Sequence, residues 1–106
     1  MRKQQTQAPH PRRNINRWLA ANCFGDYYTR KGLDDAQREL VTFCLILAQG
    51  GCENQLRGHT AGNIGAGNDA DKLYAAVEQC MPYIGYPRSL NAMNIIDEVA
   101  GKLAQQ

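Results

Sequence analysis

The stretch that decides the fold runs from Leu40 to His59 and reads LVTFCLILAQGGCENQLRGH. Its first part, Leu40–Ala48, is apolar nearly all round, a pattern typical of a helix buried at the centre of a domain. Gly50 and Gly51 end that helix, and a second helix begins at once. A connection this short predicts an αα-hairpin, with the first helix as the buried central element.

The second half of this stretch carries three reactive or hydrogen-bonding side chains on one stripe of its helix. An α-helix turns by about 100° per residue, so Cys52 and His59, seven positions apart, differ by only about 20° around the axis. Gln55 lies between them at the i+3 and i+4 spacings at which side chains meet. Because a stripe that faces the core normally carries Leu and Ala, this pattern indicates a functional site.

Upstream of the hairpin, the sequence predicts a short helix followed by a loop. Asn14 can cap a helix in which Ile15, Trp18 and Leu19 follow the i, i+3, i+4 pattern. We expect Gly25-Asp26 to break or end this helix, because glycine disfavours the helical conformation.

The predicted start and end of the hairpin helices follow from local signals. Asp34 or Asp35 can act as the N-cap of the first helix, and Asp34 with Gln37 has the spacing of a capping box. The second helix is expected to end within Ile64–Gly67.

Two further helices are predicted towards the C-terminus. Asn68 or Asp69 caps the fourth helix, which Pro82 should kink or stop, since proline lacks the backbone N–H. Pro87 suits the first turn of the last helix. No segment alternates with a period of two, so we predict an all-α bundle of about five to six helices.

Length and charge limit the classes of function. The 106 residues form one domain, predicted over residues 14–106, after a disordered basic tail at residues 1–13. The 12 Lys and Arg nearly balance the 10 Asp and Glu, and part of the excess lies in the tail, so a nucleic-acid partner is not expected. No apolar run approaches the ~20 residues that cross a bilayer, and no secretory signal is recognisable. We therefore expect a soluble cytoplasmic protein without a membrane partner.

The four cysteines show neither a C-x-x-C motif nor the paired spacing of a zinc site. Cys44 and Cys80 fall within apolar helical patterns, where a free thiol behaves as a small hydrophobic side chain. Cys52 and His59 lack further ligands at zinc spacings. We expect neither a disulfide framework nor a bound metal.

Several motifs occur in a fixed order along the chain. They are FGDYYTR at 24–30, GL at 32–33, RELVT at 38–42, GGCENQLRGH at 50–59 and PYIGYPRSLNA at 82–92. In this order they resemble the carboxymuconolactone decarboxylase family, which includes the alkylhydroperoxidase D-like proteins. The resemblance covers roughly residues 24–99. It implies a helical subunit that assembles into trimers or hexamers, with a pocket near the subunit contacts.

The resemblance implies two activities. Decarboxylases of the family remove CO₂ from a carboxylated lactone without a cofactor, whereas its peroxidases use a C-x-x-C pair followed by His, with a Glu on the preceding helix. Cys52 and His59 align with the first Cys and the His, and Glu39 aligns with the Glu. Gln55 replaces the second Cys, which removes the adjacent resolving thiol. The leading hypothesis is therefore a cofactor-free decarboxylase of a small carboxylated lactone or related acid.

Two alternatives to a decarboxylase stay open. A thiol-dependent peroxidase would use Cys52, because backbone N–H groups at a helix start favour the thiolate. A non-catalytic oligomeric module would use neither Cys52 nor His59, and the latter would then be a core or interface histidine.

In the decarboxylase hypothesis each candidate residue has a role. His59 carries the proton and Glu39 orients it, although Glu39 also suits the first turn of a helix. Gln55 donates to the developing oxyanion. Arg88, at a helix N-terminus, holds the substrate carboxylate, and Tyr83 and Tyr86 line the same pocket or pack in the core.

Arg57 and two glycines receive structural interpretations. Arg57 points about 200° away from His59 around the helix, which favours a salt bridge or an intersubunit contact. Gly58 and Gly62 each cost up to about 1 kcal/mol relative to Ala inside a helix, so we expect another helix or a ligand to approach closely there. Close packing across a subunit contact is the interpretation we favour.

Overall fold

The computed structural model describes residues 10–106, so only residues 10–13 of the basic tail predicted at residues 1–13 are described, and residues 1–9 lie outside the described residues. His10–Arg12 form a 3₁₀ turn that leads into helix α1, Arg13–Trp18. By its internal contacts the chain divides between Leu33 and Asp34 into two units, an upstream unit that ends at Leu33 and a second unit, Asp34–Gln106. The boundary of the functional domain at residue 14 stays a prediction.

The upstream unit differs from the prediction at both ends of its helix. Asn14 does not cap the helix: it lies inside α1 and accepts a hydrogen bond of 2.7 Å from Arg17. Gly25-Asp26 does not break the helix either, because α1 continues as a π-helix over Leu19–Tyr27. Glycine weakens a helix but keeps its N–H donor, so the wider i→i+5 bonding runs through it.

The second unit contains four helices, which bring the described residues to five α-helices without a strand. They are α2 (Asp35–Gln49), α3 (Glu53–Gly65), α4 (Ala70–Ile84) and α5 (Tyr86–Ala104). The predicted all-α class is therefore confirmed for residues 10–106.

Local signals set most of these helix ends. Asp34 forms the predicted capping box: its carboxylate accepts from the Gln37 N–H at 2.8 Å, and the Gln37 side chain accepts from the Asp34 N–H at 3.0 Å. Asp69 caps α4 by accepting from the Lys72 N–H at 2.9 Å. Gly50 adopts φ 73°, a left-handed conformation that favours glycine, and so ends α2.

The two prolines act differently. Pro87 lies in the first turn of α5, as predicted. Pro82 does not stop α4, which continues to Ile84 and ends at Gly85 with φ 87°. Proline removes one donor only, and helical bonding continues beyond it, since the Gly85 N–H donates to the Met81 carbonyl at 2.9 Å.

The core of the second unit lies between its four helices, and α5 contributes more buried residues than any other helix. The buried apolar residues are Phe43, Leu47, Leu56, Leu73, Val77, Ala92, Ile95, Ile96 and Val99. The prediction that Leu40–Ala48 is buried nearly all round is wrong. Phe43 and Leu47 are buried, whereas Val41 and Leu45 are 46% and 66% exposed, so α2 has one buried face.

Within residues 10–106, no helix combines the length and the apolarity that a membrane span requires.

Candidate functional site

Glu39 and His59 meet between α2 and α3. The Glu39 Oε2 atom lies 3.0 Å from His59 Nδ1, and the two side chains are only 15% and 20% exposed. An ionised carboxylate accepts hydrogen bonds and donates none, so the imidazole donates from Nδ1. In the neutral ring this leaves Nε2 as an acceptor, and in the charged ring it leaves a second proton on Nε2. The pair is therefore arranged for proton transfer through Nε2.

Gly62 provides the space for this pair. A Cβ atom built on Gly62 would lie 3.0 Å from Glu39 Oε2 and 3.3 Å from its Cδ. The close approach predicted at Gly62 is thus made by the Glu39 carboxylate. The same prediction is wrong for Gly58 within this chain, because a Cβ there would meet nothing within 4 Å. A subunit contact at Gly58 stays a prediction.

A buried amide links the backbones of the same two residues. Asn63 is fully buried, and its Nδ2 donates to the carbonyl of Glu39 at 3.0 Å and to that of His59 at 2.7 Å. Its Oδ1 accepts from Asn68 at 2.9 Å. Sequence reasoning missed Asn63. The available signal was its spacing from Leu56 and Thr60 at i+7 and i+3, the one buried stripe of α3.

Cys52 and Arg88 lie together at a different place, around the turn between α2 and α3. Both line a cavity of about 100 Å³ with Gly50, Gly51 and Pro87, whereas His59 and Glu39 do not line it. A Cβ on Gly50 would overlap Arg88 Nε, so any other residue at this turn would displace the arginine side chain. The Cys52 thiol is turned to backbone oxygens: it donates to the Gly50 carbonyl at 3.2 Å.

The remaining predicted residues lie on the surface of the chain. Gln55 is exposed, and Tyr83 is 85% exposed; neither lines the cavity that holds Arg88. Tyr86 lines an apolar groove between α4 and α5 instead. The predicted salt bridge of Arg57 is confirmed, because its Nε lies 2.9 Å from Glu98 Oε2.

Sequence comparison places this arrangement in a known family. Residues 14–98 match the sequence model of the carboxymuconolactone decarboxylase family. The chain belongs to the carboxymuconolactone decarboxylase family. It is also 31% identical over 86 residues to the 4-carboxymuconolactone decarboxylase of Acinetobacter baylyi (strain ATCC 33305 / BD413 / ADP1). That alignment covers 81% of this chain and 63% of the relative, so the chain spans less than two thirds of the relative's length.

The resemblance to the carboxymuconolactone decarboxylase family is therefore confirmed, and the named relative is a decarboxylase. The peroxidase alternative gains no support from these comparisons.

The thiol of Cys44 is poorly suited to attack a peroxide. Cys44 of α2 and Cys80 of α4 interact with each other, and burial together with Cys80 raises the pKa of the Cys44 thiol to about 11. A raised pKa keeps Cys44 protonated near neutral pH, and a protonated thiol is a weak nucleophile.

Proposed function

We propose that this protein is a cofactor-free decarboxylase that acts on a small carboxylated lactone, with the 4-carboxymuconolactone of its relative as the first candidate substrate. The observation that carries the proposal is the contact between Glu39 and His59 at 3.0 Å, in a chain of the carboxymuconolactone decarboxylase family. A decarboxylase needs a group that delivers a proton to carbon after CO₂ has left. An imidazole held by a carboxylate can meet that need near neutral pH.

The proposed reaction proceeds in two steps. The bond between the carboxylate and the ring carbon breaks, CO₂ leaves, and the electron pair of that bond moves through the conjugated system to the lactone carbonyl. This produces an enolate oxygen, which a hydrogen-bond donor stabilises. The imidazolium of His59 then donates its Nε2 proton to carbon, and solvent restores that proton for the next turnover. Glu39 holds Nδ1–H throughout and stabilises the positive ring.

Arg88 and Gln55 complete the proposal as binding groups. Cys52, which shares the cavity with Arg88, precedes His59 by seven residues, or about 10 Å along the helix at 1.5 Å per residue. We therefore assign Arg88 to an anionic group remote from the reacting carbon and Gln55, which lies between, to the enolate oxygen. Tyr83 contributes to the binding surface.

The exposure of Gln55 and Tyr83 supports a pocket that a second subunit closes. We propose a homo-oligomer, a trimer or hexamer, on this ground together with family membership. A decarboxylase benefits from such closure, because excluding water strengthens every electrostatic interaction within the site.

The test is the rate of decarboxylation of 4-carboxymuconolactone by the protein and its variants. We expect His59→Ala to lower kcat by about 10²–10⁴-fold, the usual contribution of a general acid. Glu39→Gln should lower kcat by a smaller factor of about 10²-fold, because the ring loses its ionic partner. Glu98→Gln is the matched control, since it neutralises a carboxylate whose partner is the surface Arg57. The proposal fails if His59→Ala decarboxylates as fast as the wild type.

A further inference from the structure

One amide group contacts the backbone of both residues of the proposed proton-transfer pair. Asn63 belongs to α3, and its Nδ2 atom uses both of its hydrogens: one is donated across to the carbonyl of Glu39 on α2, and the other, within α3, to the carbonyl of His59 four residues earlier. The side chain is fully buried, so water does not compete for these bonds.

We infer that Asn63 is a positioning residue, which fixes the distance between α2 and α3 where Glu39 and His59 face each other. The inference rests on the proposed function, because it assigns Asn63 to the geometry of that pair. The side-chain contact of 3.0 Å between Glu39 and His59 depends on how far apart the two backbones are held. A single rigid amide bonded to both backbones sets that distance directly.

These bonds are not needed to satisfy the two carbonyls. Within an α-helix the carbonyl of residue i already accepts from the N–H of residue i+4, and both Glu39 and His59 lie inside their helices. Burying an amide also costs free energy that a leucine of similar size would not cost. A tether between two helices explains the choice of Asn63, whereas simple core filling does not.

Asn68 fixes the orientation of the tether. Its Nδ2 donates to Asn63 Oδ1 at 2.9 Å and to the carbonyl of Ala36 at 2.8 Å. Ala36 lies in the first turn of α2, one turn before Glu39. Because the amide oxygen of Asn63 is occupied by Asn68, its nitrogen is directed at the two carbonyls. The start of α2 is thus bonded to α3 and its following loop at two successive turns.

The experiment compares Asn63→Leu with Thr60→Val. Asn63→Leu keeps the number and branching of the side-chain heavy atoms and removes the tether. Thr60→Val is the matched control: Thr60 is equally buried in α3 and donates to the Leu56 carbonyl at 2.7 Å, a bond within one helix. For both variants we would measure the melting temperature, kcat and KM for 4-carboxymuconolactone, and the tautomer of His59 from the ¹⁵N shifts of its ring. The ¹⁵N signals of the His59 ring are assigned as those that are absent from the spectrum of His59→Ala.

We expect Asn63→Leu to lower kcat by about 10-fold or more with a smaller change in KM, since misplacement by about 1 Å can cost up to 10²-fold in rate. Its His59 should lose the bias towards the Nδ1–H tautomer, because the Glu39 carboxylate that accepts from Nδ1 is displaced. Thr60→Val should keep the wild-type kcat and tautomer. If Asn63→Leu does not fold, Asn63→Ser, which is smaller and retains one donor, is measured in the same way.

The inference is overturned if folded Asn63→Leu has the wild-type kcat and the wild-type His59 tautomer. The same result in Asn63→Ser overturns it where that variant is used. An equal loss of kcat in Thr60→Val would overturn it too, because a general loss of core stability would then explain both. The tautomer is measured without substrate, so it tests the role of Asn63 even if the wild type does not decarboxylate the lactone. A wild-type protein that does not decarboxylate the lactone would contradict the proposed function but not the role of Asn63.

Discussion

Gly62 offers a test in which stability and activity respond differently to one methyl group. In Gly62→Ala the added Cβ would lie 3.0 Å from Glu39 Oε2, where ordinary van der Waals contact begins at 3.4 Å. The carboxylate must therefore retreat by a few tenths of an ångström. Its bond to His59 Nδ1 starts at 3.0 Å, and the retreat moves it towards the 3.5 Å beyond which a hydrogen bond is weak.

Two effects of Gly62→Ala on the free energy of unfolding oppose each other. Replacing glycine by alanine inside a helix stabilises by up to about 1 kcal/mol. Weakening a charge-assisted hydrogen bond costs part of the about 1.5–3 kcal/mol that such a bond contributes. We therefore expect the free energy of unfolding of Gly62→Ala to stay within about 1 kcal/mol of wild type. Because the pair is displaced, kcat for decarboxylation should fall by about 10-fold.

Gly58→Ala is the matched control in the same helix. Within this chain a Cβ there meets nothing within 4 Å, so the variant gains helix propensity without displacing a neighbour of the same chain. We expect it to be more stable by about 0.5–1 kcal/mol in urea unfolding, with unchanged kcat. The reasoning is refuted if Gly62→Ala retains wild-type kcat and a wild-type His59 tautomer, or if Gly58→Ala loses as much activity.

Three further predictions follow from other contacts. Arg57→Ala should lower the free energy of unfolding by less than about 1 kcal/mol, since its ion pair with Glu98 is about 40% exposed on both sides; a larger loss in urea unfolding would contradict this. Cys52→Ser should retain decarboxylation, because the thiol faces backbone carbonyls, and a loss of kcat above about 10-fold would instead give the thiol a catalytic role. Cys44 should resist iodoacetamide at pH 9 in the folded protein and react in urea, as read by mass spectrometry, because its folded pKa is raised from 9.0 to about 11. The unfolded thiol ionises first, so the contribution of Cys44 to stability is present below pH 9 and is lost as the pH rises towards about 11.

Local signals in the sequence predicted the helices well. The capping box of Asp34 and Gln37, the cap at Asp69 and the glycine turn at Gly50 depend on residues within a few positions of each other, and the structure contains all three. Local signals could not predict the burial of Leu40–Ala48. An apolar residue on every face gives no periodicity, so the sequence did not reveal which face of α2 packs against the core.

The candidate site shows the limit of reasoning from one helix. Cys52 and His59 were predicted to share one stripe of a helix, but Cys52 is the N-cap of α3, outside its helical residues, and His59 lies about 10 Å further along the axis. In the structure, the thiol of Cys52 faces the turn at Gly50, while His59 contacts Glu39. The pairing of Glu39 with His59 joins residues twenty positions apart, and family resemblance indicated it where spacing did not.

Asn63 escaped prediction because periodicity arguments treat polar residues as surface residues. The buried stripe of α3 consists of Leu56, Thr60 and Asn63, so only one of its three members is apolar. A helix with so little apolar surface gains little from burial, and hydrogen bonds to its neighbours must fix its position instead. This helix also carries His59.

Gly62 and Asn63, three and four residues after the proposed proton carrier, are better explained by the geometry of Glu39 and His59 than by helix propensity or apolar packing. Alanine at position 62 would favour the helix, and leucine at position 63 would avoid burying an amide. The first change would displace the carboxylate of Glu39, and the second would release the two backbones from each other. Both residues contact Glu39: Gly62 leaves space for its carboxylate, and Asn63 donates to its carbonyl. These contacts fit a site that holds a carboxylate against an imidazole.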